Sequence, residues 1–273
     1  MRKLIFCSYH ALKNLVYHDG IEHAGYMSFI VLLAVFPFII FILAFCGFLG
    51  ASDWGKDFIS FLLSDLPPNY SNLINLRISE LLNSDPYNVL NLAGVGIIWT
   101  ISSFVECLRT IFNRIYCVKH YPHYIFRRLL SIIQFFFISI LLILIILIFI
   151  FIPFVVKNIP SIYEILLRDY QSILFYFRYL FLCFFLFAII SFVYYVIPNN
   201  KIKFSEVIPG SIFAVLLWIA SGKLLFKYIS YYSQLSFVYG SLGSVIVTMI
   251  FFYIVNIIII YGAEINYLMG SRK

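Results

Sequence analysis

The sequence predicts an all-α integral membrane protein, a bundle of about six transmembrane helices with short interfacial helices. Three observations carry that expectation. Of 273 residues, 63% are hydrophobic and 20% aromatic, and the mean hydropathy is +0.99. Only 11% are charged, against about 25% in ordinary soluble domains. So few charges cannot solvate a globular surface, and the lipid bilayer is the expected solvent and partner. Six apolar runs approach the ~20 residues that a helix needs to cross the hydrocarbon core. Finally, Lys and Arg fall unevenly between the loops that join those runs.

The chain reads as a single transmembrane domain over 1–273. Residues 1–18 place Leu4, Ile5, Leu12, Leu15 and Val16 at helical spacing, as in a helix lying in the membrane interface. The apolar run after Arg2 and Lys3 ends at Cys7. A signal-peptide core needs at least about 7 such residues. The first span is expected at 26–49, with Pro37 kinking or ending its inner part. An extracytoplasmic loop, 50–88, contains two stretches able to form short amphipathic helices. The second span, 89–107, is the most polar, carrying Asn91 and the run Thr100-Ile101-Ser102-Ser103. The third, 130–156, has no charge between Arg128 and Lys157. The fourth, 174–197, has Arg178 just inside it, placed to snorkel outward. Pro198 and Asn199-Asn200 mark a turn before the fifth, 207–226, where Pro209 suits a first helical turn. The sixth is expected at 241–266. Gly210 with Ala214, Gly240 with Gly243, and Gly262 offer small surfaces for close helix packing.

With both termini cytoplasmic, twelve of the 19 basic residues and five of the 12 acids fall on that side. The whole net charge of +7 then lies in the cytoplasm, and the other side is neutral. That is the positive-inside pattern. The basic balance therefore records orientation, and specific nucleic-acid binding is not expected from it. The loop Asn113–Arg128, which mixes bases and aromatics, suits anionic lipids. Five scattered cysteines form no disulfide framework and no CxxC pair. No cofactor motif is present, and nothing specifies an oligomeric state.

Three polar groups are candidates for chemistry. In "HDGIEH", a helix would set His18 four residues from Glu22 and Asp19 four from His23, giving two acid–base pairs. The spacing is neither HExxH nor HxxEH, so no metal site is predicted. A solvated entry to the first span and a proton- or cation-coupling site are the competing readings. Glu264, with Asn266 nearby, closes an almost uncharged span. It is either a carboxylate that couples an ion or proton or orients a substrate group, or a cytoplasmic-rim carboxylate paired with Arg272 or a basic loop. A carboxylate at membrane depth costs on the order of 3 kcal/mol unless partnered. Glu106, Arg109 and Asn113 share one helix face, as an exposed Glu–Arg pair or as the lining of a cavity.

Two segments resemble the YihY/BrkB family of bacterial inner-membrane proteins: "AGYMSFIVLLAVFP" (Ala24–Pro37) and "YGSLGSVIVTMIFFYIVNIIIIYGAEIN" (Tyr239–Asn266). "VIPGSIFAVLLW" and "LRTIFNRIY" also fit the family pattern. Phe251 stands where the family often has Trp, and Asn256 where it usually has a small residue. The resemblance implies a six-helix protein of the bacterial inner membrane, in a family sometimes labelled ribonuclease BN. From the architecture, a transporter or lipid translocator for a possibly anionic substrate is the expected function. A non-catalytic envelope assembly or stability factor is the alternative. The cytoplasmic carboxylates Asp19, Glu22, Glu106, Glu206 and Glu264 contain no pair with metal-ligand spacing, so an enzyme, ribonuclease included, is not expected.

Overall fold

The computed structural model describes residues 2–50, 76, 86–118, 123–137, 139–140, 171–200, 202–232 and 236–270. Most of the 50–88 loop, most of the third span and the Arg272 partner expected for Glu264 lie outside the described residues. The protein is all-α: α1 Arg2–Tyr17, α2 Gly20–Gly50, α3 Pro86–Ile115, α4 over 124–137, α5 Gln171–Val196, α6 Phe204–Tyr232 and α7 Ser236–Gly270. Four of these are long and apolar enough to cross a membrane: Gly20–Phe41, Asn91–Ile115, Phe204–Tyr228 and Val245–Gly270. Leu180–Val196 is a shorter apolar helix.

The chain divides into two compact units, Met1–Ser28 with Val105–Lys273, and Phe29–Phe104. In the second unit α2 continues through Pro37 as far as Gly50, so the proline does not end the span. Backbone groups freed by proline can be satisfied locally in lipid. Gly96 of α3 faces the proline ring, and a Cβ there would come within 3.3 Å of the Pro37 Cβ. The polarity of Thr100-Ile101-Ser102-Ser103 is absorbed by its own helix. Thr100 Oγ1 donates to the carbonyls of Gly96 and Ile97 at 2.8 and 3.0 Å, and Ser102 and Ser103 both donate to Trp99 O. Such back-bonding satisfies the hydroxyls within their own helix.

In the first unit α7 packs on α6 and α1, and α5 packs on α6. Along α1, Cys7, Ala11 and Leu15 form a buried stripe at four-residue spacing, while Leu12 and Val16 face outward. The Ser8 hydroxyl hydrogen-bonds the Tyr261 hydroxyl of α7. The helices α6 and α7 cross at glycines. A Cβ on Gly210 would run into the Gly262 carbonyl oxygen, and one on Gly262 would run into the Tyr194 hydroxyl. Tyr194 of α5 closes this junction by donating to Ile259 O at 2.7 Å. Ala214, one turn beyond Gly210, is fully buried, and Gly243 is buried in α7. Gly240 lies in the opening turns of α7. The second membrane helix runs to Ile115, about two turns past the expected end at 107. That extension carries Arg109 and Asn113 into the packed helices.

Candidate polar site at one end of the helices

The polar residues that sequence reading kept separate meet where α3, α5 and α7 end and α4 and α6 begin. "HDGIEH" is a turn rather than a continuous helix. α1 stops at Tyr17, Asp19 adopts the left-handed conformation (φ 58°), and α2 starts at Gly20. A Cβ at Gly20 would lie 2.8 Å from Leu15 O and 3.1 Å from Ile260 Cγ2, so a larger residue would push the turn off α7. The expected pairs His18–Glu22 and Asp19–His23 therefore do not form. Glu22 is exposed, and the His23 ring nitrogen Nδ1 contacts the Asp19 backbone oxygen at 2.8 Å. Asp19 instead forms an ion pair with Arg114 of α3, which also donates to His18 O at 3.0 Å.

This turn delivers His18 to α7. Its Nδ1 lies 2.6 Å from Oε1 of Glu264, whose side chain is fully buried. Glu264 thus sits in a buried pair joining residues 246 positions apart. Two residues on, Asn266 accepts the Gly210 backbone N–H at 2.6 Å through Oδ1. The bonded oxygen fixes which way the amide points and directs Nδ2 elsewhere.

Glu106 and Arg109 do interact along the helix, with 3.8 Å between Oε2 and Nε, but the pair is not exposed. Arg109 is wholly buried, and its Nη2 donates to Gln134 Oε1 of α4. Gln134 Nε2 passes the connection to Val196 O, at 2.8 Å. Glu106 also receives Arg127 at 3.2 Å and the Ser131 hydroxyl at 3.1 Å. The cluster holds two guanidiniums and one carboxylate. Asn113 accepts the Asn199 backbone N–H at 2.8 Å, tying α3 to the turn after α5. Gln134, Ser131, Tyr116, Tyr194 and Glu206 were not singled out by sequence reading. The one available signal was the interruption of apolar runs by Gln134 and Ser131.

Beside these contacts is a partly open cavity of about 160 Å³, lined by Tyr116, Asn200, Ile202, Glu206, Asn266, Tyr267 and Gly270. Burial, helped by the Glu264 and Glu206 carboxylates, pushes the Tyr116 hydroxyl above its ordinary value, so it keeps its proton. Among the described residues, no group of three or more His, Cys, Asp or Glu could hold a metal ion.

The family model for virulence factor BrkB matches residues 11–273. The chain belongs to the BrkB virulence-factor family. Relatives include the ribonuclease-like protein YfkH of Bacillus subtilis (strain 168), 28% identical over 263 residues, covering 94% of this chain and 92% of YfkH. A UPF0761 membrane protein of Pseudoalteromonas translucida (strain TAC 125) is 23% identical, covering 89% of this chain and 79% of the relative. One from Vibrio vulnificus (strain YJ016) is 24% identical, covering 94% and 80%. No solved structure matches the chain. Nearly all of the polar network lies within the span that the BrkB model matches. This BrkB protein is therefore a membrane protein with several apolar helices.

Proposed function

We propose that the protein is a transporter or lipid translocator of the bacterial inner membrane, with the polar end of its helices facing the cytoplasm. The observation that carries this reading is the His18–Glu264 pair, in which a carboxylate on the last helix meets a histidine in the turn before the first span. Buried ionisable groups are costly in lipid and characteristically serve ion or proton relays. Imidazole and carboxylate are both proton-binding groups. While a proton or cation is held there, the N-terminal turn stays on α7; on its loss, the turn and α7 are free to separate and expose a path along Asn266, Asn113 and Arg109. The buried Arg109, whose Nη1 has no partner among the described residues, supports an anionic substrate. Translocation in this scheme contains no bond-breaking step.

A second reading, a non-catalytic envelope assembly or stability factor, is favoured by one feature. Glu106, Arg109, Gln134 and Asn113 bind mainly one another and the backbone, as a structural lock would. Liposomes carrying labelled anionic lipid separate the two. The translocator moves label between leaflets, and Glu264→Gln slows it by about tenfold or more, equivalent to ~1.4 kcal/mol in the barrier. Movement equally fast in the variant removes Glu264 from the mechanism. No movement by folded wild-type protein leaves the scaffold.

A further inference from the structure

We infer that the cavity between the ends of α3, α6 and α7 binds a small amino alcohol, an ammonium with a neighbouring oxygen, either free or as a lipid headgroup. The site does not depend on whether the protein translocates anything. Its volume of about 160 Å³ is roughly ten times what one water requires. The charge its described lining carries is negative, although the protein carries +7. Glu206 supplies the carboxylate, and among the described residues no Lys or Arg side chain lines the cavity.

Two helices add to that field in opposite ways. Glu206 lies in the first turn of α6, where its Oε2 accepts the Lys203 backbone N–H at 3.3 Å, a favourable place for an acid. Its side chain also lies over the end of α7, with its Cδ 3.7 Å from where a Cβ on Gly270 would be. A helix C-terminus carries about half a negative charge. The two helix termini offset one another, and the Glu206 carboxylate leaves the charge that asks for a cation. The rings of Tyr116 and Tyr267 stand nearly perpendicular (87°), with centroids 6.0 Å apart, giving two aromatic walls. Ammonium groups are held by such faces.

The ligand's oxygen follows from the donors. Among the described residues, the buried Tyr116 hydroxyl and Asn266 Nδ2 have no hydrogen-bond partner beyond each other. A buried donor without an acceptor is costly, and an oxygen on the ligand answers it. A simple alkylammonium would satisfy Glu206 and the rings while leaving both donors unused. An anion would meet Glu206.

The test uses the full chain in detergent, with thermal unfolding measured at constant ionic strength. Ethanolamine at millimolar concentration should raise the melting temperature by about 2 °C or more. Ethylamine should do less, and ethyl phosphate nothing. Glu206→Gln and Tyr116→Phe should each lose the ethanolamine shift while eluting as folded protein. Nanodiscs distinguish the sources. A shift on adding ethanolamine to phosphatidylglycerol discs, absent in phosphatidylethanolamine discs, means the lipid headgroup already fills the site. A shift in both means the free amine is the ligand. The inference fails if ethanolamine gives no shift, or if Glu206→Gln keeps it. It fails equally if binding appears only after Arg272→Ser with Lys273→Ser, since the chain's own terminus would then be the occupant.

Discussion

Arg109 is fully buried between a carboxylate 3.8 Å away and the Gln134 side chain. Its neighbour Arg127 shares the same carboxylate, so Glu106 is common to two cations. Removing the shared anion is therefore worse than removing one cation. Glu106→Ala should cost about 3–5 kcal/mol, the usual result of leaving a buried charge uncompensated. Arg109→Met keeps the Glu106–Arg127 pair and orphans Gln134 Oε1, for about 1–3 kcal/mol. Unfolding in detergent, monitored for both variants, checks the order; Arg109→Met being the more damaging would refute this account of the cluster. Glu264 was legible as a buried charge because it interrupts an apolar span. Its partner was not. Spacing rules connect residues three or four apart on one helix, whereas His18 and Glu264 are 246 apart. The same rules suggested His18–Glu22, and the left-handed Asp19 defeats that pairing by ending the helix first.

Among the helices, the closest approach is that of α6 to α7. Gly262→Ala would press a methyl group against the Tyr194 hydroxyl and the Gly210 carbonyl, both fixed by backbone or hydrogen bond. Overpacking of this kind typically costs about 1–3 kcal/mol, and the upper end applies because neither neighbour can yield. Gly222→Ala in α6 meets nothing within 4 Å. It should be neutral or raise stability by up to ~1 kcal/mol through helix propensity. Melting curves of the two variants should therefore diverge in opposite directions, and equal behaviour would mean that the crossing is looser than described. Gly210 and Ala214 were legible as packing residues from their four-residue spacing. Gly96 was not, because its reason for being small is a proline ring from another helix. Of the two outcomes expected at Pro37, ending the span is excluded by the helix that continues through it, since neighbouring groups in lipid can satisfy the backbone a proline frees.

Across the whole molecule, composition and the six apolar runs made the membrane class and the all-α fold readable in advance. The polar end was not readable, because helix ends distant in sequence had to be brought together first. If that end faces the cytoplasm, orientation has a direct handle in Cys117, a free and exposed thiol at the end of α3. With the other cysteines replaced, a membrane-impermeant maleimide should label Cys117 in inverted vesicles and not in intact spheroplasts. The reverse pattern would turn the protein over. The His18–Glu264 contact also has a consequence for how the chain is made. At about 5–20 residues per second, the ribosome needs roughly 12–50 s to pass from one partner to the other across the 246 intervening positions. The first span is thus threaded into the bilayer long before the last exists, with its histidine turn waiting in water. A message cut short ahead of codon 264 yields a protein whose opening segment never finds its anchor, and a membrane protease could recognise it by that loose turn.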